Sequence, residues 1–366
     1  MRTAIRWQRS SAALISALAL AAATLAGTGS AASASPVQPG AAPAPASIGT
    51  PAPVTSEAWA AGRRTFGAKA NAADAVRAYW TPERMRSAKP IEDSPQYLAA
   101  IRQFQQDGSP ASKPDTSAGK QVFNPAPGQV KAPPSGFGTQ AHNPNYGVGH
   151  PTARTSGKVF FSQGGGNFVC SATVINSEGQ DTVWSAGHCI HSGRGGVWSS
   201  NWQFVPNYDD DLANPRPYGT WVAANLWTRT AWVNNSDFSQ DFGVAIMNPL
   251  NGNHIVSYLG GQGLIVNAGT NVWINAFGYP AEAPFDGGNL WQCWGGSSVF
   301  SGQTIKIPCD MTRGSSGGGW FYNWDGNWGW LNGVNSRIDR IVNPTIMISP
   351  YFDNDALDLY NATRHL

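Results

Sequence analysis

Residues 313–319 read Arg-Gly-Ser-Ser-Gly-Gly-Gly and lead directly into the aromatic run Trp320-Phe321-Tyr322. A glycine-rich turn that delivers serines to the start of an apolar run predicts a strand entered through a tight turn. Working outward, the same alternation of short β-branched or aromatic runs with Gly/Asn/Ser turns recurs from Gly157 onward. The runs are 158–162, 167–175, 181–186, 202–206, 219–227, 242–247, 271–277, 299–308, 317–322 and 328–335. Many short strands at this spacing, with no repeat period, predict an all-β sandwich or barrel. A helix is expected to close the chain over about 349–363. Ser349-Pro350 would open it, with Asp353 and Asp355 early and Arg364 and His365 late, as the helix dipole favours.

Composition agrees. The chain has 366 residues, 42 of them glycine and 16 tryptophan, with only 13% charged, against about 25% in an average domain. Hydrophobic content of 41% supports a sizeable core. Lys+Arg number 24 and Asp+Glu 22, a formal net charge of +2. That balance gives no reason to expect nucleic acid or an anionic membrane as partner.

The chain begins as an export signal, expected over residues 1–34. Arg2, Arg6 and Arg9 precede an uncharged Ala/Leu-rich run from Ser11 to Gly27, and Ala32-Ser33-Ala34 fits a cleavage site. A retained anchor is the competing reading, but the run is short for a membrane span. Residues 35–150 read as a pro-segment or linker. Ser35 to about Ser56 is Pro/Ala-rich and expected to be disordered. Three helices are predicted beyond it: Asn71–Trp80, one opened by Thr81 as cap with Pro82 in the first turn, and Ser94–Gln106. Residues 107–155 are again rich in Pro, Gly and Ser, and five of the seven lysines precede residue 150. A small accessory domain is the alternative to a pro-segment.

The four cysteines, Cys170, Cys189, Cys293 and Cys309, suit an exported chain with two disulfides. Three connectivities are possible. Cys170–Cys189 and Cys293–Cys309 are favoured because each closes a short loop. No C-x-x-C spacing points to zinc.

Three local sequences carry chemistry. In Val183-Trp184-Ser185-Ala186-Gly187-His188-Cys189 a strand ends on small residues and delivers a histidine; Ser239-Gln240-Asp241-Phe242-Gly243-Val244-Ala245 puts a carboxylate at the mouth of an apolar strand; the third is the turn around Ser316. A serine hydroxyl needs a base to become a nucleophile, and histidine is that base near neutral pH. A buried carboxylate fixes the imidazole tautomer. Glycines let backbone N–H groups converge on a developing oxyanion, here those of Gly314 and Ser316. Rival choices are His191 as base, Asp237 as carboxylate and Ser315 as nucleophile. Each lacks the surroundings of the preferred residue.

Together these segments resemble the chymotrypsin-like serine peptidases, in the order His188, Asp241, Ser316. The resemblance spans about residues 157–350. It is closest to the secreted bacterial branch that includes the glutamyl endopeptidases, through Cys309-Asp310-Met311-Thr312 and Gly278-Tyr279-Pro280. It implies two antiparallel six-stranded β-barrels, over about 151–255 and 256–348, with the site between them. Two departures stand out. Ser315 replaces the aspartate that animal members pair with a new N-terminus, and Gly319 replaces the usual proline.

By the same resemblance Ser336 supports Asp241, and Asn335 replaces the histidine with which glutamyl endopeptidases hold an acidic side chain. Asp310 matches a pocket-base position that would favour Arg or Lys in substrate. Arg313 sits at the pocket rim, where it would favour acidic groups. The two could also pair. Asp209-Asp210-Asp211 could bind Ca²⁺ or be a solvated loop, and no metal is assigned. Strand tryptophans such as Trp221, Trp273 and Trp330 are expected in the core rather than on a sugar-binding face. The expectation is a secreted, monomeric serine endopeptidase that needs no cofactor and acts on protein or peptide. A latent or non-catalytic Trp-rich binding protein on the same scaffold is the alternative.

Overall fold

A computed structural model describes residues 45–108, 113–117, 119–129, 146–339 and 345–366. The expected export signal lies outside the described residues. The described residues form one compact unit.

The leading segment contains β1 (Ser47–Pro51), α1 (Ser56–Phe66), α2 (Ala72–Tyr79), α3 (Pro82–Ser87), β2 (Lys89–Pro90), α4 (Pro95–Asp107) and β3 (Gln121–Phe123). Local chemistry sets the helix starts. Asn71 and Asp74 form a reciprocal capping box on α2; Thr81 caps α3 and Ser94 caps α4, each followed by proline at the first helical position. The three expected helices are therefore present.

Residues 45–56, expected to be disordered, are ordered instead. β1 runs antiparallel to the later part of β8 (Trp221–Arg229), pairing Ser47 with Arg229 through Pro51 with Asn225. Backbone hydrogen bonds order this stretch where its own side chains offer little to bury.

In the body, α5 (Pro151–Thr155) leads into β4 (Ser156–Gln163), β5 (Gly166–Val174), β6 (Thr182–Ser185), β7 (Ser200–Pro206), β8, α6 (Thr230–Asn235) and β9 (Gly243–Met247). The order β8-β7-β4-β5-β6-β9, with β9 returning to β8, closes a six-stranded antiparallel barrel. After α7 (Ile255–Leu259) come β10 (Gly263–Val266), β11 (Trp273–Gly278), β12 (Trp291–Gly296), β13 (Ser298–Val299), β14 (Thr304–Pro308), β15 (Gly319–Tyr322), β16 (Trp330–Val334), β17 (Arg337–Asp339), β18 (Ile346–Pro350) and α8 (Asn354–Thr363). These strands hydrogen-bond as two sheets, β12-β11-β15-β16-β10-β3 and β13-β14-β18-β17. The all-β class with one closed barrel and a C-terminal helix holds. Disulfides join Cys170 to Cys189 and Cys293 to Cys309. Among the described residues no helix is long and apolar enough to cross a membrane.

Four expectations need correction. Ser349-Pro350 ends β18, and α8 starts five residues later at Asn354, capped by Asp353. The backbone of Ile346–Pro350 is committed to pairing with β14, which delays the helix. The run 299–308 is two strands joined by a turn at 300–303. The linker stretch contributes β3, which extends the sheet beside β10. Trp221 is buried as expected, but Trp273 is 60% exposed; it stands at the first residue of β11, opposite Gly296.

Candidate active site

His188 and Asp241 sit where barrel strands end, and Ser316 sits in the turn before β15. β6 finishes at Ser185, and a single 3₁₀ turn, Gly187–Cys189, holds His188. Asp241 ends another 3₁₀ turn immediately before β9. Because β6 and β9 pair antiparallel, Ser185 beside Gly243, the two turns emerge together. Asp241 is fully buried. Its Oδ1 accepts from the His188 backbone N–H at 2.8 Å, and its Oδ2 lies 2.8 Å from His188 Nδ1 and accepts from Ser336 Oγ at 2.6 Å. One carboxylate thus anchors the backbone and the ring of the same histidine, leaving Nε2 as the ring's outward nitrogen.

The Ser316 turn is held against this end. Gly314 and Gly317 have φ of +94° and +83°, a conformation that side chains disfavour. A Cβ on Gly317 would also meet Ala186 N at 2.8 Å. The Ser316 carbonyl accepts from Ser171 N–H at 2.7 Å, and Gly317 N–H donates to the Asn335 carbonyl at 2.7 Å. The Asn335 side chain donates to the Phe277 and Ser315 carbonyls at 3.0 Å each and accepts from Trp320 Nε1 at 2.7 Å. Asn335, taken from the resemblance as a substrate contact, is instead a buried brace for the serine turn. Ser315 Oγ donates to the Thr312 carbonyl at 2.8 Å.

The rival residues have local partners. His191 Nδ1 accepts from Gly193 N–H at 3.1 Å, and burial pushes its pKa down to about 4. Asp237 caps Ser239 N–H at 2.9 Å.

A cleft of about 460 Å³ opens beside Ser316, lined among others by Arg313, Ser336, Arg337 and Ile338. Arg313 faces it and pairs with Asp93 at 2.6 Å and Glu282 at 4.0 Å. Asp310 is exposed, does not line this cleft, and has Oδ1 3.7 Å from Cys293 Sγ. Asp310 follows the end of β14 at Pro308 and lies exposed beside the Cys293–Cys309 disulfide. It is therefore not the charge beside Ser316.

Sequence reasoning missed the leading segment's part in this site. Glu92 is buried, and its Oε1 accepts from Ser316 Oγ at 2.5 Å; both carboxylate oxygens lie 3.2 Å from Gly314 N. Tyr97 lies edge-on to His188 at 4.9 Å between ring centroids. Burial pushes the Glu92 carboxyl up, outweighing the opposing pull of His188 and of the Ser316 and Gly314 hydrogen bonds. Burial pushes His188 down, but the charge and hydrogen bond of Asp241, with the charge of Glu92, outweigh it and hold the imidazole above its usual value. No local signal marks Glu92, since Glu-Asp-Ser before a helix is ordinary N-terminal sequence.

Asp209 Oδ1 and Asp211 Oδ2 both accept from Asn289 Nδ2, at 2.9 and 3.2 Å. Among the described residues, the only His/Cys/Asp/Glu group with metal-ligand spacing is Cys170, His188 and Cys189, and its two sulfurs form a disulfide.

The fold matches solved proteins. The thermostable serine protease AL20 from an extremophilic microorganism aligns at 37% identity and TM-score 0.55, over 58% of this chain and 97% of that one. The protease Anisep from Arthrobacter nicotinovorans aligns at 34% identity and TM-score 0.56, over 62% and 99%. This chain belongs to the chymotrypsin-like serine proteases. No protein-family model and no curated protein matches it. Within that family its departures have structural counterparts. Ser315 bonds within its own turn to Thr312. Gly319 starts β15 with no room for a side chain, since a Cβ there would meet Thr173 Oγ1 at 2.6 Å.

Proposed function

We propose that the protein is a secreted serine endopeptidase, released from its leading segment by cleavage before about Gly157. His188, Asp241 and Ser316 would be its triad. In this reading Ser316 Oγ attacks the scissile carbonyl and His188 Nε2 takes its proton. The N–H groups of Gly314 and Ser316 hold the resulting oxyanion, each such donor being worth about 3 kcal/mol. His188 then passes the proton to the leaving amine, and the acyl-enzyme remains. Water attacks the ester, His188 again takes a proton and returns it to Ser316 Oγ, and the acid product leaves. Asp241 holds the tautomer and offsets the imidazolium charge throughout. The observation that carries this reading is the buried Asp241 carboxylate bridging the backbone, the ring of His188 and Ser336. The two disulfides support an oxidising destination.

Substrate would be protein or peptide, with Arg313 rather than Asp310 contributing charge in the cleft. A fluorophosphonate probe tests the mechanism: labelling of the processed wild type but not of Ser316→Ala is expected. Absence of label on a folded, processed chain would overturn it. A peptide-library cleavage profile reads the Arg313 contribution, as a preference for acidic residues that Arg313→Ala reduces.

A further inference from the structure

Glu92 sits where the proposed reaction develops negative charge. Its carboxylate oxygens lie 3.2 Å from Gly314 N, one of the two N–H groups assigned to the oxyanion. An anionic oxygen there meets a donor aimed at an anion. Glu92 also takes the Ser316 proton out of play. A hydroxyl has one hydrogen to donate, and that of Ser316 points to Glu92 Oε1. His188 Nε2, the atom that should receive it, is buried with no hydrogen-bond partner.

Other residues of the segment, Tyr97, Leu98, Ile101 and Gln105, line one wall of the same cleft. The Tyr97 ring shields His188, and its hydroxyl reaches the Ser336 carbonyl at 3.5 Å. Phe104 and Phe238 flank the Arg337 guanidinium at 4.6 and 5.1 Å. Asp93 neutralises Arg313. The segment enters through β2, which runs parallel to β5 at Phe168 and Val169.

We infer that residues 89–107 are an in-cis ligand of the active-site cleft, with the Glu92 carboxylate bound as an anion in the oxyanion site, and that this contact keeps the unprocessed chain latent. The inference rests on the peptidase reading. The contact also explains how the segment survives there. Ser316 Oγ meets a side-chain carboxylate, not a peptide carbonyl; attack would have to expel oxide, and there is no amine to leave. The segment is held without a scissile bond at the nucleophile, so its release requires a cut elsewhere in the chain.

The test is pulse labelling of the full-length chain with a fluorophosphonate, read on the uncleaved band and compared with the processed form. Wild-type full-length protein should label slowly and processed protein fast. Full-length Glu92→Ala should label at least about tenfold faster than full-length wild type, the scale of losing charge-assisted hydrogen bonds. The processed forms of both should label alike, because Glu92 is absent from them. Equal rates for full-length and processed wild type would overturn the inference while leaving the peptidase reading intact. So would a folded full-length Glu92→Ala that labels no faster than wild type. If Glu92→Ala does not fold, the wild-type comparison still decides. Failure of the processed wild type to label would overturn the peptidase reading itself, and the inference with it.

Discussion

The leading segment and the protease body are built to different standards. The body closes its own core: the six-stranded barrel returns from β9 to β8, and two disulfides fasten its loops. The leading segment has little core of its own. Ala58, Val76, Tyr79, Trp80, Met85 and Ile91 are buried in one cluster with body residues, and Tyr97, Ala100 and Phe104 in another with Trp232 and Phe238. Its strands are guests as well: β1 lies on β8 and β2 on β5. A segment ordered chiefly by its host is a ligand that happens to be covalently attached. Its short helices, 6 to 13 residues long, are of a length that is marginal in isolation.

That contrast can be broken or sharpened by measurement. The largest effect belongs to the body: Asp241→Asn should lower kcat/KM of the processed protein by about 10⁴-fold, through loss of the correct histidine tautomer. Peptide-hydrolysis kinetics check it, and docking of the leading segment should be unaffected.

Next comes the segment's main anchor. Trp80 is 1% exposed, packs 5.7 Å from Phe160 between ring centroids, and donates from Nε1 to the Asn201 carbonyl at 2.7 Å. Trp80→Ala should weaken docking by about 3–5 kcal/mol, seen as faster limited proteolysis of residues 45–107. The kcat/KM of the processed protein should be unchanged. If it changes, the two regions are not host and guest.

The smallest effect is a pH dependence within the body. Burial holds the His191 pKa at about 4, below the ordinary histidine value of about 6.5. The unfolded chain therefore binds a proton that the folded chain refuses between these values. Stability is lost as pH falls from about 6.5 toward 4. Thermal melts across that window should show a shallower decline in His191→Gln than in wild type.

The candidate site was legible to the extent that it is local. His188 and Asp241 lie at strand ends and Ser316 in the turn before a strand, each announced by small residues, and Ser336 reaches Asp241 as the resemblance implied. Both disulfides follow from short sequence separations, 19 and 16 residues. Asn335 and Asp310 were misread because a motif position does not say where a side chain points. Asn335 turned inward to brace the serine turn, and Asp310 turned outward from the cleft. The short strands β10, β12 and β18 were missed, β12 because its Trp-Gln-Cys-Trp-Gly-Gly run has weak alternation and glycines at its end.

Turn chemistry, helix caps and strand alternation act over a few residues, so the sequence by itself determined the β body, the three capped helices ahead of it and the residues offered for catalysis. Only the tertiary structure decided what occupies the cleft. Glu92 meets Ser316 across 224 positions of chain, and its neighbours Glu-Asp-Ser carry no trace of that partner. The physical reason is that the contact depends on the path of the whole leading segment over the barrel. That path is set by strand edges and aromatic pockets belonging to residues far away.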